Sequence, residues 1–195
     1  MRVQAFSPRR TVAIAVAAGV TVLASLGAFA GSSTAAAGAA AAAAAPACTT
    51  SSLDVWLDTG GGGGTAGGTY YDLQFTNLSA HPCTLYGYPG ISAVNLSGKQ
   101  LGAAARRDAQ HASTTVTLAA GTGQNLLSAT ATAVIKITDS GVYGPTACGS
   151  VNAAGLRVYP PGQTASRVVP FPFAACQHSA NILTVEALQK GVLPQ

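Results

Sequence analysis

The chain of 195 residues carries ten Lys or Arg, six Asp or Glu and three His, so 8% of it is charged, against about 25% in a typical globular domain. Three of the ten basic residues (Arg2, Arg9, Arg10) fall in the first ten positions, which leaves seven basic against six acidic residues from Gly31 onward. That balance excludes the clustered basic face an electrostatic nucleic-acid binder needs, and with so few ion pairs on offer stability must come from apolar burial and cross-links.

Met1 to Arg10 is a basic leader, and Thr11 to Ala30 an uncharged apolar run that ends in Ala28-Phe29-Ala30. A charged start, an apolar middle and a small-x-small end predict a secretory signal peptide over 1–30, cleaved after Ala30. The alternative is an uncleaved membrane anchor, since 20 apolar residues can just span a bilayer. Gly31 to Ala47 is almost pure Ala with Gly, Ser and Thr. Such a segment has no apolar face to bury, so 31–47 reads as a low-complexity linker ahead of a folded domain at 48–195.

The four cysteines are Cys48, Cys83, Cys148 and Cys176. None forms a Cys-x-x-Cys pair and no His stands at zinc-finger spacing, so no structural metal is expected. An even count behind an export signal points to two disulfides. Three pairings are open; Cys48–Cys83 with Cys148–Cys176, the pairing of sequence neighbours, is favoured.

Leu53, Val55 and Leu57 alternate with Asp54, Trp56 and Asp58, the period of a half-buried strand. Trp56 then faces away from the leucines, either packed at the rim of the core or exposed as a contact residue. Gly62, Gly64 and Gly67 formally match Gly-x-Gly-x-x-Gly, but they lead into a strand rather than the helix N-terminus a phosphate needs, and so read as a hairpin loop. Tyr71, Leu73 and Phe75 alternate with Asp72, Gln74 and Thr76. Asn77 to Pro82 reads as a turn and Cys83 and Leu85 as a return strand, a central hairpin anchored by Cys83. Strands are expected over Ile91 to Leu96, Lys99 to Ala103, Thr115 to Leu118, Gln124 to Thr138 (Leu127 sharing parity with Ile135), Ala154 to Tyr159, Ala165 to Val169 and Ile182 to Glu186. Ala104 to Ser113 and Pro170 to Phe173 read as irregular. Short strands separated by Gly/Pro turns predict an all-β fold, an antiparallel immunoglobulin-like β-sandwich of about seven to nine strands stapled by two disulfides.

Several phrases together resemble a known family: Thr69–Asn77 (Thr-Tyr-Tyr-Asp-Leu-Gln-Phe-Thr-Asn), Pro82–Ile91 (Pro-Cys-Thr-Leu-Tyr-Gly-Tyr-Pro-Gly-Ile), Gly98–Gly102, Val116–Gly121 and Gly155–Gly162 (Gly-Leu-Arg-Val-Tyr-Pro-Pro-Gly). With the four cysteines they resemble the exported actinobacterial proteins of the domain of unknown function 4232, over about Ala47 to Val185. Ala119-Ala120-Gly121 departs from it, the family usually placing a proline before that glycine. The resemblance implies an immunoglobulin-like β domain outside the cytoplasm and supplies no reaction or catalytic residue.

Serine hydrolysis needs a base and an orienting acid within reach. His81, His111 and His178 all lie in polar, loop-like segments, and Gly-x-Ser-x-Gly is missing. Asp54 and Asp58 flank Trp56 on one strand face and could contact a sugar, although solvated strand positions are the simpler reading. One Met, at position 1, and three scattered histidines do not suit a copper or zinc carrier, and no cofactor is implied. Tyrosines stand out instead. Tyr86 and Tyr88 share a strand parity on a low-charge surface, and amphipathic aromatics are common anchors of binding faces. The expected function is therefore a secreted, non-enzymatic β-sandwich that binds an envelope protein or glycan through Tyr86, Gly87, Tyr88, Pro89 and Gly90. Membrane contact is expected only through an uncleaved signal segment. The rivals are an extracellular hydrolase with a nonstandard site and a purely structural envelope spacer.

Overall fold

The computed structural model describes residues 44–60, 63–122 and 126–193. The expected signal peptide and most of the alanine linker lie outside the described residues. Thirteen strands follow in chain order: β1 (Leu53–Asp58), β2 (Gly64–Thr65), β3 (Gly68–Asn77), β4 (Cys83–Tyr86), β5 (Gly90–Val94), β6 (Gln100–Leu101), β7 (Arg106–Asp108), β8 (Thr115–Leu118), β9 (Thr130–Thr138), β10 (Ser150–Tyr159), β11 (Arg167–Cys176), β12 (Leu183–Glu186) and β13 (Gln189–Lys190). Nine of these have four residues or more. A one-turn helix, α1 (Pro145–Cys148), is closed by Gly149 in the left-handed region, the usual helix stop.

The larger sheet runs β1-β3-β9-β12-β7, with β2 on β3 and β13 on β9. The second runs β11-β10-β5-β6, and β4 and β8 form a separate two-stranded ribbon. Pairing is antiparallel except for β7 with β12. The predicted immunoglobulin-like β-sandwich is therefore the architecture, with a core drawn from both sheets: Leu53, Leu73, Phe75 and Ile135 from one, Ile91, Leu156, Val158 and Val169 from the other. β9 supplies Ala131 and Ala133, whose small side chains let Leu73 and Phe75 opposite them fill the interior.

Both disulfides pair sequence neighbours, Cys48–Cys83 and Cys148–Cys176. The described part of the glycine-rich stretch lies between β1 and β3, which pair antiparallel, as expected of a hairpin, and Gly62 lies outside the described residues. The central hairpin does not form: β3 pairs with β1 and β9, and β4 pairs with β8. The reason is Asn77. Its buried amide donates to the carbonyls of His81 and Ala119 and accepts from Ser79, which turns the chain out of the large sheet towards the ribbon. Pro46 and Ala47 already hydrogen-bond or bridge to Thr84 of β4.

Three further expectations are corrected. The segment read as a polar loop contains β7, a polar edge strand without alternation to betray it. Leu127 lies in a 3-10 turn ahead of β9 and is exposed. The stretch Pro170 to Phe173 read as irregular continues β11 without a break. Proline removes a ladder donor, and β11 tolerates Pro170 and Pro172 because it is the edge of its sheet.

Candidate functional site

β4 leaves the ribbon at Tyr86, whose side chain is 63% exposed. The chain then turns through Gly87 at φ 95°, in the left-handed region that favours glycine, and its carbonyl accepts the amide of Leu188. Tyr88 is half-buried against the core, Pro89 is buried and Gly90 is exposed. Of the five residues singled out from the sequence, Tyr86 alone offers a large free side chain; Tyr88 and Pro89 fasten the segment to the domain.

β7 completes the site. Arg107 lies across the Tyr88 ring, its guanidinium carbon 5.4 Å from the ring centre, a cation–π contact that holds the charge in place. Tyr86, Gly87, Tyr88 and Arg107, with Ser113 and Gly162, line an open depression of about 300 Å³. Sequence reasoning passed over Arg107, which falls in the segment Ala104 to Ser113 read as irregular. Nothing local to that segment signals its neighbour; the parallel pairing of Arg107 with Val185 does.

The histidines occupy separate places. His178 Nδ1 lies 3.1 Å from the Thr146 carbonyl oxygen, His81 gives its carbonyl to Asn77, and His111 stands 3.5 Å from Glu186. No group of three metal-ligating side chains occurs among the described residues.

The outer face of the large sheet gathers acids. Asp58 is opposite Asp72, and Asp108 opposite Glu186. Burial raises the pKa of Asp72, and Asp58 adds to the rise. Burial likewise raises Glu186, with His111 opposing the rise and Asp108 and Asp72 adding to it. A carboxyl with a raised pKa holds its proton in the folded state when the unfolded chain has already released it, so its contribution to stability falls as pH rises through the shifted value. The domain is therefore expected to melt at a higher temperature near pH ~4.5 than at pH ~7, as differential scanning calorimetry across that range would read; a steady fall in melting temperature over the same interval contradicts this sign.

The family comparison matches the chain, over residues 48–189, to the family described as Domain of unknown function (DUF4232). The chain belongs to the DUF4232 family. No curated protein and no solved structure matches it. In this DUF4232 domain the phrases that carried the resemblance meet in space. Gly90, in Pro82–Ile91, is the register partner of Tyr159, in Gly155–Gly162, and a Cβ at Gly90 would lie 3.4 Å from the Tyr159 side chain. Residues of both phrases, Tyr86 to Tyr88 and Gly162, line the depression. Two disulfides and no free cysteine among the described residues of the DUF4232 domain suit an oxidising, extracellular environment.

Proposed function

We propose that this domain is a non-enzymatic binding module of the cell envelope, exported by its N-terminal segment, and that it takes a glycan in the Tyr86–Arg107 depression. The observation that supports the reading is the pairing of an exposed Tyr86 with a guanidinium held over Tyr88, on the rim of one open depression. A flat aromatic face stacks on a sugar ring, and a positioned guanidinium meets a carboxylate or a phosphate with two parallel hydrogen bonds. Ser113 and the backbone of the glycine turns add small polar groups suited to hydroxyls. The open shape fits a polymer that passes over the surface better than a small molecule that must be enclosed.

Retention on purified wall polysaccharide tests this. Tyr86→Ala and Arg107→Ala are each expected to weaken retention about tenfold, the loss of roughly 1.4 kcal/mol of contact, with unchanged melting temperature, since both side chains are exposed. Retention by both variants equal to that of the parent rejects this site. Retention that survives periodate oxidation of the polysaccharide but not protease treatment transfers the reading to a protein partner. Turnover of ester, glycoside or peptide substrates that depends on His81, His111 or His178 would replace the binding module by a hydrolase.

A further inference from the structure

Along the inward parity of β3 and β11 the core closes tightly and then opens. Leu73 and Phe75 on β3, and Val169 and Ala175 on β11, are at most 5% exposed. Tyr71, Phe171 and Phe173 keep the same parity but are only half-buried. Between these rings, Ile137 of β9 and the Asp139–Gly141 segment lies a slot of about 180 Å³. A cavity of about 150 Å³ takes a benzene ring, so the slot has room for one compact group.

Local structure builds it. Phe171 and Pro172 of β11 stand opposite Ala154 alone, because the register shifts between the Ala153–Phe173 and Gly155–Pro170 pairs. An extra residue of this kind re-aims side chains and recurs beside functional sites. Gly155 is required there, since a Cβ would collide with the Val169 carbonyl. The rings brace one another: Tyr71 and Phe171 have centres 5.0 Å apart and planes inclined at 67°, and Phe171 and Phe173 are 5.9 Å apart at 30°. The opposite wall is equally fixed. The Asp139 amide donates to the Gly67 carbonyl, the Val142 amide donates to the Asp139 carbonyl, and the hydroxyls of Ser140 and Ser150 bond each other. The slot is therefore preformed, as ligand sites usually are.

Its chemistry selects the occupant. The described lining holds one carboxylate, the exposed Asp139, and no basic side chain. Asp139 makes no ion pair with a described residue. An anion is disfavoured there, whereas aromatic faces and a free carboxylate both attract a cation. A primary ammonium is a strongly hydrated point charge, and three rings with an isoleucine cannot replace its water. A methylated ammonium spreads its charge over apolar methyl groups and makes no such demand. A flat sugar or aromatic ligand can lie on Tyr71 or on Phe171 but not on both, given the angle between their planes; a rounded cluster of methyls can touch both. We propose that the slot binds a methylated ammonium group, carried by a choline-like cation or by a lipid headgroup, with its methyls against Tyr71, Phe171 and Phe173 and its charge towards Asp139. The slot shares no residue with the Tyr86 depression, and the proposal does not depend on the glycan reading.

Isothermal titration calorimetry of the purified protein at fixed ionic strength tests this with choline, its neutral isostere 3,3-dimethylbutan-1-ol, ethanolamine and glucose. Choline is expected to bind saturably, and the isostere and ethanolamine about tenfold more weakly or worse. Asp139→Asn, at an exposed position, is expected to weaken choline binding several-fold at unchanged melting temperature. Phe171→Leu keeps an apolar side chain but removes the central ring, and is expected to weaken it about tenfold; should that variant fail to fold, Asp139→Asn still decides. Tyr86→Ala is expected to bind choline as the parent does. Sedimentation with phosphatidylcholine vesicles separates the sources: sedimentation that free choline reverses places the group on a lipid, and choline binding without sedimentation places it on a soluble cation. The proposal is overturned by equal binding of choline and its neutral isostere, by glucose binding in place of choline in Tyr86→Ala, by sedimentation that choline does not reverse, by parental choline binding in Asp139→Asn and Phe171→Leu together, or by no saturable heat with choline through the millimolar range.

Discussion

Asn77→Ala is expected to destabilise the domain by about 3–5 kcal/mol, read as a lower urea midpoint at unchanged slope. The side chain is fully buried and its amide is the knot of the fold: Nδ2 donates to the His81 and Ala119 carbonyls at 2.8 Å each, and Oδ1 accepts from the Ser79 amide and hydroxyl at 3.0 and 2.8 Å. Alanine removes all four bonds and leaves the Ala119 carbonyl and the Ser79 amide without this side chain, while the His81 carbonyl keeps only the Ser79 hydroxyl. Repacking cannot help, because the backbone of Gly121 presses on the Asn77 carbonyl so closely that a Cβ there would sit 1.8 Å from the oxygen. Asn77→Asp turns both donations into contacts between a carboxylate oxygen and carbonyl oxygens in a buried position, and is expected to be at least as destabilising as alanine at neutral pH. A midpoint for Asn77→Ala within experimental error of the parent would falsify the role assigned to this junction.

The second large effect concerns the cross-links. Replacing Cys48 and Cys83 by alanine is expected to cost about 3–4 kcal/mol, the loop-closure entropy returned to the unfolded chain over a separation of 35 residues. Native geometry adds to the argument. This bond ties the residues just ahead of β1 to β4, which is otherwise held by a four-residue ladder to β8 and the bridge from Ala47 to Thr84; two-stranded ribbons are marginal alone. The Cys148–Cys176 link spans 28 residues and closes a hairpin already held by the long β10–β11 ladder. Its loss is expected to cost a similar amount, and the two losses should add, since they act on separate parts of the chain. Their sum is of the order of the whole stability of an ordinary domain, ~5–15 kcal/mol. The doubly reduced protein is therefore expected to be unfolded at 37 °C by circular dichroism, and native spectra under strong reductant would contradict the assignment of stability to these bonds.

Strand content and the presence of two disulfides were legible because they rest on local periodicity and on counting; the pairing stayed open among three arrangements, of which the favoured one is observed. Leu73 and Phe75, Val116 and Leu118, and Val158 behind Leu156 carry their burial in the alternation of their own segments. Strand partners were not legible. A β-strand sequence states which face is buried and not which strand lies beside it, so the chain order Phe75-Asn77-Cys83 suggested a hairpin where a single buried amide redirects the backbone. β7 escaped for a different reason: Arg106, Arg107 and Asp108 have no apolar member, and only the parallel partner β12 makes them a strand.

The candidate site shows the same division. Tyr86 was visible as an aromatic on a strand of low charge, whereas Arg107 joins it through a pairing between segments nearly eighty positions apart, Arg107 with Val185. Trp56 was assigned the outward parity correctly, but the groove beside it is walled by a 3-10 turn and a C-terminal segment that carry no period. Two phrases of the family resemblance, Thr69–Asn77 and Val116–Gly121, meet at the Asn77 junction, through the bond from Asn77 to Ala119 and the approach of Gly121. Much of what the resemblance detected is thus the chemistry of one turn.

The two prolines of β11 bear on how the molecule behaves in a crowd. An outermost strand with a full row of free amides would zip onto its neighbour wherever many copies are packed together, and such pairing propagates into fibres. Pro170 and Pro172 lack the amide hydrogen such pairing needs, so this rim offers an incoming strand an interrupted ladder.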